Sequence, residues 1–210
     1  MPRCASGGPA AHLVIRAAAR WRAARPAVLV VAIDGHGGAG KSTIATAVAA
    51  ATGAALVHTD DFFRAPGGAP EVRSGVPGGV RTLESYYDWR RLRAAALGPL
   101  RAGRPARFRR FDWERGSGLD GVVTVPASGM IVVEGVFSAA PQLADLVDRS
   151  VLVDTPERER LRRLRARVAP DEWDDEWLLA EKAYFGQVRT PSWFDLIVPG
   201  ADQTNRVAER

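Results

Sequence analysis

Cysteine is nearly absent: Cys4 stands alone among 210 residues, so no internal disulfide can form and a stapled secreted scaffold is excluded. Lysine is almost as scarce. Lys41 and Lys182 are the only two, and the other basic side chains are arginines scattered along the chain. The net charge of +5 is therefore not gathered into a lysine-rich patch, and no nucleic-acid partner is expected. No apolar run approaches the roughly 20 residues that cross a bilayer, and residues 1–10 lack the apolar stretch of a signal peptide. No membrane contact is expected, and the expected location is cytoplasmic.

What is present suits a globular protein. Hydrophobic residues make up 46% and charged residues 25%, so the chain can bury a core, and its length suits one α/β domain with one site. Residues 28–33 form an apolar run without alternation, the pattern of a parallel strand covered on both faces. Similar runs recur at 55–58, 130–133, 151–153 and 196–198. Helical patterns lie between or before them, at 11–24 (within an N-terminal segment 1–25), 41–51, 89–100, 141–147, 157–167 and 173–188. Alternation of this kind predicts an α/β fold with a five-stranded parallel sheet flanked by helices. Residues 64–81, rich in Gly and Pro, read as a flexible loop, and 106–125 as a small antiparallel extension.

The segment Gly35-His36-Gly37-Gly38-Ala39-Gly40-Lys41-Ser42 satisfies G-x-x-x-x-G-K-[ST] and sits between a predicted strand and a predicted helix. Glycines let the backbone curl so that successive N–H groups face phosphate oxygens, aided by the positive end of the helix that follows. Lys41 is then expected to reach the β and γ phosphates of ATP, and Ser42 to meet Mg2+, with Thr43 beside it. Such a cradle is shared by kinases, GTPases, motors and switches, so the other residues must choose among them.

Two further sites place carboxylates at the C-terminal edge of the sheet, where open α/β folds bind ligands. The second strand runs into Asp60-Asp61-Phe62-Phe63, and the third ends at Glu134-Gly135. One aspartate can take the proton of an attacking hydroxyl, or cap a turn; Glu134 can help organise magnesium. Arg158, Arg160, Arg162, Arg163, Arg165 and Arg167 crowd into one predicted helix, within an arginine-rich lid at 156–172. Intervals of three and four put Arg160, Arg163 and Arg167 on one face, suited either to phosphates or to solvent.

With these features in this order, residues 28–200 resemble the uridine kinase and phosphoribulokinase superfamily, which includes nicotinamide riboside kinase. The resemblance implies a P-loop NTPase fold and an ATP- and Mg2+-dependent kinase of a small-molecule acceptor, a nucleoside 5′-hydroxyl first. It implies that Asp60 is the general base, with Phe63 and Phe111 beside the acceptor. Tyr87-Asp88-Trp89-Arg90 is similar to the segment that holds the ribose hydroxyls, through Asp88; an N-cap is the other reading of that residue. Arg160 and Arg163 are expected on the nucleotide, Arg163 and Arg167 in catalysis, and Arg167 also at the acceptor. Where uridine kinases carry Tyr-Asp-Phe and then a pyrimidine-reading histidine, this chain has Phe111-Asp112-Trp113-Glu114-Arg115-Gly116. The lost partner can shift discrimination by orders of magnitude, leaving a non-nucleoside alcohol as the alternative acceptor. From another class, a nucleotide-dependent switch or nucleic-acid-associated ATPase is the remaining reading.

Overall fold

Leu29–Asp34 (β1) is apolar at every position but the last, and all six residues are buried. The computed structural model describes residues 8–24, 27–64, 83–167 and 175–200. Along the chain it contains α1 (Pro9–Ala23), β1, α2 (Lys41–Thr52), β2 (Ala55–His58), α3 (Leu83–Tyr86), α4 (Trp89–Arg91) and α5 (Gly98–Arg101). There follow β3 (Ala106–Phe111), β4 (Leu119–Val125), β5 (Met130–Glu134), β6 (Arg149–Asp154), α6 (Glu157–Arg165), α7 (Asp175–Ala183) and β7 (Leu196–Pro199).

The five apolar runs form one parallel sheet in the order β2-β5-β1-β6-β7. Alternation along β1 sends its side chains to two cores. Leu29, Val31 and Ile33 pack with Val14 of α1 and Ile44 and Val48 of α2. Val30 and Ala32 pack on the opposite face with Leu92, Leu97, Leu100 and Phe137. The register aligns Ile33 with Glu134 and Glu134 with His58, which brings three strand ends to one edge.

The expected extension is the antiparallel hairpin β3–β4, with a register shift between Arg109 and Arg110. Helix 89–100 is α4 and α5 joined through a π-helical stretch, Leu92–Leu97. The helix expected at 141–147 is not formed. Pro141–Leu143 makes a single 3-10 turn, and the N–H groups of Ala144 and Leu146 bond three residues back. That tight turn delivers Asp148 to Val30, whose N–H donates to its carboxylate at 2.9 Å. The helix expected at 157–167 ends at Arg165, and of the one expected at 173–188 the described residues, from 175 on, run as α7 followed by a π-helical turn at Tyr184–Val188. Of the loop expected at 64–81, only Arg64 is described; residues 1–7 and 25 of the N-terminal segment and 168–172 of the arginine-rich segment also lie outside the described residues. Among the described residues no helix is long and apolar enough to cross a membrane.

Asp34 ends β1 wholly buried, a costly place for a carboxylate unless donors surround it. They do. Its Oδ1 accepts from Gly35 N–H at 2.7 Å and Phe137 N–H at 2.9 Å; its Oδ2 accepts from Ala139 N–H at 3.0 Å and the Tyr184 hydroxyl at 2.8 Å. Burial raises the Asp34 pKa above the ordinary aspartate value, opposed by these hydrogen bonds and by the charge of Lys41. The carboxylate thus ties the chain on both sides of the sheet edge to the helix that follows α7. It also holds Phe137, which adopts a left-handed φ of 67° at a cost of about 1–2 kcal/mol for a side chain with a Cβ.

Asp34→Asn replaces one acceptor oxygen with a donor that faces other donors, and should lower stability by roughly 2–3 kcal/mol. Tyr184→Phe removes one bond only, and should cost about 1 kcal/mol. Denaturant midpoints of the two variants check the ranking; equal midpoints would mean that the carboxylate is not the anchor.

Candidate functional site

The loop 35–42 emerges between β1 and α2 as the motif requires. Gly38 takes φ +74°, and a Cβ there would run into the backbone carbonyl of Arg160 in α6. Gly135, after β5, has φ +140° and lies against Thr59, which leaves no room for a side chain. Both glycines are required by close approach as well as by conformation.

Several groups from outside the loop hold its shape. Thr155 donates its hydroxyl to the Ala39 carbonyl at 2.9 Å, and Gly37 N–H donates to Glu181 Oε1 at 2.8 Å. Gly35 is tied to Asp34, and Gly40 stands as the left-handed cap of α2. Lys41 is buried and donates from Nζ to the His36 carbonyl of its own loop at 2.9 Å.

Ser42 donates its hydroxyl to Glu134 Oε2 at 3.2 Å, which joins the two residues expected to organise magnesium. A hydroxyl beside a carboxylate is the hard oxygen set that Mg2+ prefers, so these residues fit the ion. Thr43, like Ser42, is exposed on the first turn of α2. On its other oxygen Glu134 meets His58 Nδ1 at 2.5 Å. That hydrogen bond raises the His58 pKa; partial burial opposes it, and Asp61 and Asp60 reinforce it.

Asp60 and Asp61 occupy the short 3-10 turn Thr59–Phe62 that follows β2. Asp60 is open to solvent on one side and crowded by protein on the other. Loss of hydration raises its pKa and the Glu134 charge adds to the rise, while Lys41 and a hydrogen bond from the Tyr87 hydroxyl at 3.0 Å pull it down. A carboxylate near an ammonium and a magnesium-type oxygen pair is poised to accept a proton from a bound alcohol. Burial also raises the Asp61 pKa, and His58, Arg110 and Arg91 oppose the rise.

Beyond Tyr87 stands an aromatic wall. Phe63 bridges to Tyr87 and lies 5.8 Å from its ring, 5.3 Å from Phe111 and 4.9 Å from Trp113. Phe111 is buried, whereas Trp113 is 57% exposed and so offers a face to a ligand. Asp88 accepts from Arg91 N–H at 3.0 Å as the N-cap of α4, and pairs with Arg64 at 3.1 Å. The capping reading of that residue holds.

The arginine helix separates into three cases. Arg160 is buried against the loop, with its guanidinium 3.6 Å from Glu181. Arg163 donates to the Gly38 carbonyl at 3.4 Å and to Glu159 at 2.8 Å. Arg167 lies beyond the end of α6, exposed. Two concavities, of about 480 Å³ between α1 and the end of α2 and about 280 Å³ around Asp148, Trp193 and Asp195, touch none of these groups, so side-chain geometry rather than cavity size locates the site.

Sequence reasoning passed over Asp34, His58, Tyr87 and Glu181. Asp34 had a local signal, a charge closing a wholly apolar strand. Glu181 had none, since its loop partners are 144 and 145 residues away.

No protein-family profile matches the chain, and no curated protein matches it either. Solved structures do. A candidate uridine kinase from Bacillus stearothermophilus aligns with TM-score 0.63 at 20% identity, over 89% of this chain and 98% of its own. A candidate fructose transport system kinase from Silicibacter sp. TM1040 aligns with TM-score 0.61 at 22% identity, over 90% and 98%. The YGR205w protein aligns with TM-score 0.53 at 14% identity, over 83% and 82%. The chain therefore has the α/β fold of uridine-kinase-like P-loop proteins, with a five-stranded parallel sheet and a two-stranded antiparallel extension.

Proposed function

We propose that the protein is an ATP-dependent kinase that phosphorylates the hydroxyl of a small molecule, with a nucleoside 5′-hydroxyl as the first candidate. One observation carries the reading: the Asp60 carboxylate stands at the same sheet edge as Lys41 and the Ser42–Glu134 pair, close enough for their charges to move its pKa. A switch or an ATPase working on nucleic acid has no need of a carboxylate base placed for an alcohol.

In the reaction, the acceptor oxygen forms a bond to the γ-phosphorus as the bond to the β–γ bridging oxygen breaks, and Asp60 takes the hydroxyl proton. Lys41 leaves the His36 carbonyl to meet phosphate oxygens, and the loop N–H groups bind the rest of the charge. Arg163, beside the Gly38 carbonyl, supplies a further positive charge to the transferring group. Arg160 is close enough to contribute through the same helix face, and Arg167 would serve only by folding back from beyond it. Ser42 and Glu134 would hold magnesium, which when bound neutralises phosphate charge.

Phe63, Phe111 and Trp113 would line the acceptor side, and Asp88, already paired with Arg91 and Arg64, would offer its remaining acceptor capacity to hydroxyls. A flat apolar acceptor suits the exposed Trp113 face. A non-nucleoside alcohol is the second reading, favoured by the absence of a histidine in Phe111–Gly116 and in keeping with the fructose transport system named for one structural neighbour.

Two substitutions separate binding from chemistry. Lys41→Ala should weaken ATP binding and turnover together, whereas Asp60→Asn should bind ATP within about threefold of wild type and lose about 10²–10⁴-fold in kcat. Full turnover by Asp60→Asn would remove it from the role of base. A third variant tests the tuning of that base. Tyr87→Phe removes a bond that favours ionised Asp60, so the acid limb of kcat/KM should move to higher pH, with activity lost as pH falls through the raised pKa. An unmoved limb would show that another group sets it.

A further inference from the structure

Glu181 takes no part in the proton or phosphoryl transfer just described, yet the fold devotes unusual chemistry to it. It lies on α7 with no exposed surface. Gly37 N–H and the Trp177 indole N–H both donate to Oε1, at 2.8 and 2.7 Å. On Oε2, His36 Nδ1 lies at 3.0 Å and Arg160 Nη1 at 3.6 Å. An ionised carboxylate only accepts, so His36 presents Nδ1–H to it. The Phe185 ring, 4.3 Å from the His36 ring, backs the arrangement. Burial pushes the Glu181 carboxyl up, but the bonds from His36 and Gly37 and the charge of Lys41 outweigh it and leave the pKa below the ordinary glutamate value.

Packing alone does not require a charge here, because an apolar side chain fills a buried helix position without a desolvation cost. The distinguishing feature is what the charge holds. In the second half of the loop the outside contacts, from Thr155 and Arg163, are to carbonyls, and the Ala39 N–H is bonded locally to the His36 carbonyl. In the first half, the N–H groups of Gly35 and Gly37 are each tied by a carboxylate, Asp34 and Glu181. Gly37 has no side chain of its own to restrict it, and Glu181 is the only carboxylate that also reaches the arginine helix among the described contacts of the loop.

We propose that Glu181 is a positioning residue for nucleotide binding: it fastens Gly37 and His36 in the phosphate-receiving shape of the loop and, through Arg160, sets α6 against that loop. The inference rests on residues 35–42 being the nucleotide site, and it adds a second contributor to that site from a helix the motif does not include. The loop is then shaped before ATP arrives, which lowers the ordering cost of binding.

The test is calorimetric titration of Mg2+-ATP into the full chain, with thermal unfolding measured on every variant. Glu181→Gln keeps an acceptor for Gly37 and Trp177 and should bind within about threefold of wild type. Glu181→Ala removes both and should bind at least about tenfold more weakly. Leu100→Ala, buried in the core away from the loop, supplies a destabilised control that should keep wild-type affinity. Wild-type affinity in Glu181→Ala, or an equal loss in Leu100→Ala, overturns the proposal. If Glu181→Ala does not fold, His36→Ala takes its place, and wild-type affinity there overturns the proposal in turn. A wild-type chain that does not bind Mg2+-ATP at all would instead refute the nucleotide site itself.

Discussion

A loop that receives phosphate has to leave part of its N–H set unpaired, so it cannot be held by the continuous ladder bonds that hold a helix or a strand. The constraint is general, and here it is met from outside. Asp34 takes the N–H of Gly35, Glu181 that of Gly37, Thr155 holds the Ala39 carbonyl and Arg163 the Gly38 carbonyl. Each of these side chains comes from a different stretch of the fold, so the sheet order and the seating of α6 and α7 have to be right before the loop can be. The buried carboxylates are then a consequence of the loop's chemistry and not an oddity of the core.

The same edge gathers charges of both signs at short range. Glu134 sits between the Ser42 hydroxyl and His58, and its charge, together with burial, raises the pKa of Asp60 while Lys41 and Tyr87 lower it. A base for an alcohol needs a carboxylate that is ionised yet not overly stabilised by its neighbours, and Asp60 is proposed for that role. The aromatic wall of Phe63, Phe111 and Trp113 is joined to Asp60 through Tyr87, so the proposed recognition and the proposed chemistry meet at one residue.

The sheet was legible in the sequence because its strands are buried on both faces and read as unbroken apolar runs; 55–58 was matched to the residue. The loop was legible because glycine spacing and flanking elements agree. The reading of Asp88 as a cap was open to local inspection for the same reason, since its partner Arg91 lies three residues on. Residues 141–147 read as a helix but give a single turn that leads to the Val30–Asp148 bond, a tertiary contact that the local pattern does not carry. Arg167 was placed with Arg160 and Arg163 by helical spacing, but α6 stops at Arg165 and the face stops with it. Glu181 was invisible, because nothing in the sequence of a helix at 173–188 marks it as a carboxylate that will be buried.

The central claim is transfer of a phosphoryl group from ATP to an alcohol. Incubating the protein with γ-labelled ATP and magnesium across nucleosides, sugars and vitamin alcohols, then resolving the products, tests it most directly. The account predicts label on the hydroxyl of a particular acceptor, a nucleoside first, and none with Asp60→Asn. Label recovered only as inorganic phosphate, whatever acceptor is present, would contradict it.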